Sequence, residues 1–224
     1  MHYGHIIFDF DSTLIQFESL EMILAKALEA YPDKIKKIAD LTTKGMNGQM
    51  PFKEALYKRL EIAKPTKKAI NAFINQYCPG ALTLGMKGLI QRLHQQGGMV
   101  HVISGGFKEV ILPFTRYLNI PDENVHALVL LWDDNCKLVG VDETNGFADS
   151  KVKGMEKLGG QLQGRSVIVG DGMTDYQLYH KRLVGDFVAY AEHVKRDEVI
   201  ALAPHVASSV TDLYRLFDLP VLNE

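Results

Sequence analysis

Apolar residues fall along this chain in two distinct rhythms. Near the start, Ile6, Ile7 and Phe8 form a short unbroken run of β-branched and aromatic residues, and the stretch HIIFDFDSTL then places Asp9 and Asp11 two positions apart. A run of this kind reads as an interior strand of a parallel sheet covered on both faces. The two carboxylates therefore fall at its C-terminal end, the edge where open α/β sheets bind their ligands. From Phe17 the spacing changes to three and four residues. Phe17, Leu20, Leu24 and Leu28 set one stripe, and Ile35, Ile38 and Leu41 continue it. Phe52, Leu56 and Leu60 follow Pro51, and Ile70, Phe73 and Ile74 follow Pro65 and the capping residue Thr66. Residues 16–78 are thus predicted as an all-helical block.

From about Gly80 the chain alternates between the two rhythms: MKGLIQRLHQQGG, MVHVIS, FKEVILPFTRYL, HALVLLW, KVKGMEKLGG, RSVIVGD, DYQLYHKR and GDFVAY. Helix and strand in alternation predict βαβ units and a parallel sheet. The first strand finds its partners only after the helical block, so that block reads as an insertion. The expected fold is α/β, a doubly wound parallel (Rossmann-like) sheet with a small all-helical cap inserted after the first strand. Residues 1–15 and 79–224 form the core and residues 16–78 the cap. HALVLLW is predicted as one strand, DDNCKLVGVD as a turn and short hairpin, and the MVHVIS strand is expected to end at Ser104.

Composition narrows the partners. The 224 residues are 46% hydrophobic and 23% charged, with a net charge of −2 and no long run of one sign, so neither nucleic acid nor an anionic membrane is an expected partner. Cys78 and Cys136 have no metal-motif or disulfide-framework spacing. No window approaches 18 uninterrupted apolar residues, and Asp9 comes too early for a signal-peptide hydrophobic stretch. A cytoplasmic location is the expectation.

Further strand ends carry polar residues. Ser104 is followed by Gly105 and Gly106, whose backbone N–H groups can approach an anion. SVIVGDGMTD supplies Asp171 and Asp175, and DSKVKGMEKL opens a helix with Lys151 and Lys153. Met155 and Leu158 follow Lys151 by four and seven positions, which puts Lys151 on the sheet-facing stripe and turns Lys153 toward solvent. Gathered at one sheet edge, Asp9, Asp11, Asp171, Asp175, Ser104 and a lysine supply carboxylates for a hard cation and donors for a dianion, a set suited to Mg²⁺-assisted phosphoryl transfer. A calcium loop starting at Asp9 is excluded, since its sixth position is Leu14 and its twelfth Leu20. Taken singly, each motif also reads as a strand-end turn or helix cap.

DFDSTL, ISGGF, the lysine-bearing helix start and GDGMTD resemble, in sequence and order, the four motifs of the haloacid dehalogenase superfamily, and DFDSTL with SGGF is closest to its phosphoserine phosphatase branch. The resemblance runs from residue 5 to about 190. It implies a two-step hydrolysis of a small phosphorylated metabolite, with Asp9 as nucleophile and Asp11 as acid and then base. It implies Mg²⁺ held by Asp9, the backbone carbonyl of Asp11 and Asp171, with Asp175 as ligand or as a group orienting one. Ser104, Gly105 and the lysine would bind the phosphoryl oxygens. In the cap, Glu18 matches the position that holds the substrate amine, Arg59 the one that holds its carboxylate, and Met46 and Phe52 the apolar shield. Phosphoserine is the implied substrate. The alternatives are another small ester such as phosphoethanolamine, phosphocholine or a methionine-salvage intermediate, and, in a different class, a phospho-receiver or a phospho-ligand-binding protein without turnover. The oligomeric state is left open.

Overall fold

The computed structural model describes residues 3–28, 31–46, 49–160, 162 and 164–220; the side chains of residues 25–27, 45 and 46 also lie outside the description. Strand β1 (His5–Phe8) is buried along its whole length, as its apolar run demands. It is followed by a single wide turn over Phe10–Leu14, closed by the Ile15 N–H donating to the Phe10 carbonyl at 3.0 Å. Four helices come next: α1 (Ser19–Ala27), α2 (Pro32–Met46), α3 (Phe52–Ala63) and α4 (Lys67–Tyr77). Pro51 precedes α3 as its N-cap, and the Thr66 hydroxyl caps α4 by accepting from the Ala69 N–H at 3.1 Å.

The chain then enters α5 (Met86–Gln95), β2 (Met99–Phe107), α6 (Lys108–Tyr117), β3 (Val125–Leu128), β4 (Leu130–Trp132), β5 (Leu138–Val141), α7 (Lys151–Leu158), β6 (Ser166–Gly170), α8 (Met173–His180), β7 (Asp186–Tyr190), α9 (Asp197–Leu202), β8 (His205–Ala207) and α10 (Val210–Leu216). The main sheet has the order β3-β2-β1-β6-β7-β8, and all its pairings are parallel. The order runs outward in both directions from β1 and β6. Their C-terminal ends thus flank the topological switch point, where such sheets form a ligand crevice.

The chain segments entering and leaving the helical block lie side by side. Ile15 bridges Leu82, the Thr83 N–H donates to the Leu14 carbonyl at 2.9 Å, and the Thr83 hydroxyl donates to the Thr13 carbonyl at 2.7 Å. The four helices therefore leave and rejoin the sheet at one point beside Asp9.

Two expectations are corrected. HALVLLW is not one strand: β3 ends at Leu128, and β4 turns away to pair antiparallel with β5 in a separate two-stranded sheet. The apolar run continues across the break although only β3 is largely buried: in β4 Leu130 is buried, Leu131 is exposed and Trp132 is half-buried. The strand carrying Ser104 does not stop there. It continues as β2 to Phe107, with a register shift between Ile103 and Phe107 that displaces Ser104, Gly105 and Gly106 from regular pairing with β3.

Candidate active site

Asp9 follows the last residue of β1, and its N–H still pairs with the Val169 carbonyl of β6 at 2.9 Å. Both described bonds to its side chain fall on Oδ1: the Phe10 N–H donates at 2.7 Å, and Lys151 Nζ lies 2.8 Å away. Asp171 follows β6 across the switch point, and Asp175 lies in the first turn of α8. Each of the three aspartates offers an oxygen within 4.8 Å of the others, and all three are buried.

Among the described residues, two cations serve this trio. Lys151, at the start of α7 behind its capping residue Ser150, reaches Asp175 Oδ1 at 2.7 Å as well as Asp9. Arg196, on the loop after β7, donates from Nε to Asp171 Oδ2 at 3.0 Å. Burial alone would depress the Lys151 ammonium, but Asp175 and Asp9 more than offset it and hold it protonated. The carboxylates still outweigh the cations. Burial, with Asp9 beside it, pushes Asp175 up to about 8 against the pull of Lys151, and burial with Asp9 also raises Asp171 against Arg196. A buried, all-oxygen, electronegative cluster of this kind fits a hard divalent cation, which would relieve the surplus negative charge.

Asp11 stands apart from the trio. Its Oδ1 accepts from the Ser19 N–H at 2.9 Å. The residue as a whole is half-buried, but its carboxyl end is enclosed, and burial together with the charge of Glu18 holds its pKa well above the ordinary carboxylate range. A Cβ added to Gly106 would come within 3.2 Å of Asp11 Oδ2 and 3.3 Å of Ser104 Oγ, so these two groups flank the point that only glycine leaves open. Ser104 Oγ accepts from the Gly106 N–H at 3.0 Å, which leaves its own proton to donate.

The helical block faces this edge. A Cβ on Gly105 would meet the Phe52 ring at 3.2 Å, so that ring lies directly against the bulged turn of β2. Glu18 accepts from the Ser12 hydroxyl at 2.8 Å, and burial pushes it up to about 7. Arg59, on α3, is buried at 7% exposure. Its Nη1 donates to the Thr42 hydroxyl at 3.1 Å and its Nε to the Ala55 carbonyl at 3.3 Å, and no carboxylate among the described residues lies within salt-bridge reach of it. Burial lowers its pKa, while Glu21, Glu18 and Asp11 act in the opposite sense. Lys153 is exposed and pairs with Glu156 at 2.7 Å. Met46, expected beside Phe52, has a side chain outside the described residues.

This arrangement matches a known group of proteins. The family described as haloacid dehalogenase-like hydrolase matches residues 6–180. The chain belongs to the haloacid dehalogenase-like hydrolase family. It is a phosphatase similar to phosphoserine phosphatases: it is 31% identical over 201 residues to the chloroplastic phosphoserine phosphatase of Arabidopsis thaliana (88% of this chain, 66% of that one) and 32% identical over 197 residues to the phosphoserine phosphatase of Homo sapiens (87% and 84%). A phosphoserine phosphohydrolase-like protein from Francisella tularensis subsp. tularensis SCHU S4 superposes with a TM-score of 0.91 at 46% identity, covering 95% of this chain and 99% of that one. A phosphoserine phosphatase structure described as a phospho-aspartyl intermediate analogue shares the fold, with a TM-score of 0.74 at 23% identity over 96% and 99% of the two chains.

Within this family member, sequence reasoning missed three residues that touch the site. Arg196 lies where no motif or periodicity marks it, Thr42 sits inside an ordinary helical stripe, and Ser12 directly follows Asp11 in a motif dominated by its carboxylates. Only the left-handed backbone of Ser12 (φ 53°), inside the turn after β1, sets it apart locally.

Proposed function

We propose that this phosphatase hydrolyses phosphoserine through an aspartyl phosphate on Asp9, with Mg²⁺ bound by Asp9, Asp171 and Asp175 and the backbone carbonyl of Asp11, and with residues 16–78 acting as a cap over the core formed by 1–15 and 79–224. When bound, the metal supplies positive charge that screens the phosphoryl dianion from the nucleophile. Asp9 Oδ1 is held by the Phe10 N–H and Lys151, so Oδ2 is the oxygen that attacks phosphorus. As the P–O bond to the seryl oxygen breaks, Asp11 gives that oxygen its proton. The raised pKa of Asp11 keeps the proton in place until then. Once serine leaves, the Asp11 carboxylate takes a proton from water as that water attacks the phosphorus. The acyl phosphate bond then breaks and releases inorganic phosphate. Ser104, the Gly105 backbone and Lys151 stabilise the charge on the phosphoryl oxygens.

The observation that carries the substrate is Arg59. A buried guanidinium with no carboxylate among the described residues within salt-bridge reach, on the helix whose Phe52 ring lies against Gly105, is matched to a ligand that brings a carboxylate of its own. Glu18 complements the substrate ammonium. The test compares kcat/KM for phosphoserine and phosphoethanolamine in the wild type and in Arg59→Ala. Phosphoserine is expected to be preferred, and the substitution to cost it about 2–5 kcal/mol while phosphoethanolamine barely responds. Equal use of the two esters by the wild type, or equal losses in the variant, would overturn the phosphoserine assignment and point to another small phosphate ester.

A further inference from the structure

We propose that Thr42 is a positioning residue for substrate recognition, fixing the Arg59 guanidinium so that the edge formed by its two terminal nitrogens is the fork offered to a carboxylate. This rests on the substrate reading above and adds to it the residue that aims Arg59.

A guanidinium carries five N–H donors in one plane and can grip a carboxylate along either of two edges, one using Nε and Nη2, the other using Nη1 and Nη2. In Arg59 the Nε–H is engaged by the Ala55 carbonyl at 3.3 Å, which takes the first edge out of use. Thr42, on α2, receives one Nη1–H at 3.1 Å. Three donors, all on the terminal nitrogens, have no partner among the described residues.

Thr42 can serve as a fixed acceptor because its own hydroxyl proton is committed to the Ile38 carbonyl at 3.1 Å, one helical turn back. Its lone pairs are thereby turned toward α3. Both Thr42 and Arg59 are buried, at 8% and 7% exposure, so neither contact is shared with bulk solvent. Neutral groups hold the cation in place without cancelling its charge.

The adjacent threonine makes the contrast. Thr43 is exposed, and its hydroxyl donates to the Ala39 carbonyl at 3.0 Å in the same back-bonded manner, without any described contact to Arg59. The two side chains share residue type, helix and local hydrogen bond. They differ in which of them meets the guanidinium, so Thr43→Val is a matched control for Thr42→Val.

Steady-state kinetics on phosphoserine and phosphoethanolamine would be combined with nitrogen-15 arginine NMR of the guanidinium. Losing a buried hydrogen bond to a charged group should lower kcat/KM for phosphoserine roughly tenfold in Thr42→Val, mostly through KM. Phosphoethanolamine should be unaffected, Thr42→Ser should restore the wild-type value, and Thr43→Val should change nothing. Separate terminal-nitrogen proton signals for Arg59 in the wild type should merge in Thr42→Val and persist in Thr43→Val. Equal losses on both esters, an unchanged phosphoserine KM in Thr42→Val, or merged Arg59 signals in the wild type would each overturn the assignment to Thr42. A wild type that uses both esters equally overturns the substrate reading alone, because the NMR signals decide the positioning of Arg59 without any substrate.

Discussion

Lys151 Nζ lies 2.7 Å from Asp175 Oδ1, joining the first turn of α7 to the first turn of α8 beneath the crevice. The contact is fully buried on the aspartate side and nearly so on the lysine side, whereas Lys153, two residues on, reaches only Glu156 at the surface.

That difference predicts unequal consequences for two similar substitutions. Lys151→Ala removes a buried cation from between two carboxylates and is expected to lower kcat at least about a hundredfold, as loss of one transition-state donor does. Lys153→Ala should remain close to wild type. Phosphate-release assays on both variants check this, and the reverse ranking would remove Lys151 from the site.

Asp9→Asn should abolish turnover while leaving the thermal transition in place, because an amide of the same shape does not attack phosphorus. Asp11→Asn should still form some phosphoenzyme with a good leaving group but release it slowly. Acid-quench trapping followed by peptide mapping would locate the phosphoryl group. Finding it on any residue other than Asp9 refutes the assignment of the nucleophile.

The surplus negative charge around Asp175 predicts that Mg²⁺ stabilises the fold independently of catalysis. A concentration one hundred times the dissociation constant should add about 2.7 kcal/mol, read as a rise in Tm. Asp171→Asn should blunt that rise. Chelation should remove activity and Mg²⁺ restore it, while Ca²⁺, with its larger and more flexible shell, should inhibit. A Tm that ignores Mg²⁺ would argue against a site at the three aspartates.

His101 and His126 lie on neighbouring strands of the sheet with their rings stacked at 6.1 Å, and burial first, then neighbouring positive charge, brings each down to about 4. The folded state binds fewer protons than the unfolded chain between pH 4 and about 6.5. Their contribution to stability is therefore whole above pH 6.5 and is lost as the pH falls toward 4. His126→Phe keeps the stacking on Phe147 and removes one of the two groups. It should reduce the loss of stability between pH 7 and pH 5 by about 1 kcal/mol, measured as the shift in urea midpoint. An identical pH slope in the variant would rule out this origin.

What was legible in the chain follows from where physical constraints are local. Asp9, Asp11, Asp171 and Asp175 stand out because an apolar run ends in charge, and the helical stripe separates Lys151 from Lys153. Glu18 and Arg59 carry no such mark and entered through resemblance alone. The contact between Thr42 and Arg59 exists only once α2 and α3 dock, and Arg196 reaches Asp171 from a loop whose sequence has no rhythm. The division of HALVLLW was hidden for a related reason. Its apolar residues are similar in kind on both sides of the break, and only the pairing partner tells β3 from β4.

The placement of β1 also bears on how the molecule comes into being. Phe8 pairs on one side with Val102 and on the other with Val169, so this strand is flanked on both sides only once residue 169 has been synthesised. Asp9 is synthesised well before Lys151, Asp171, Asp175 and Arg196. A growing chain therefore exposes a β-branched, aromatic segment for much of its synthesis, the kind of delayed long-range pairing that slows folding and invites aggregation. A nascent chain that stops short of Asp171 has Asp9 without the two carboxylates that gather beside it in the folded chain.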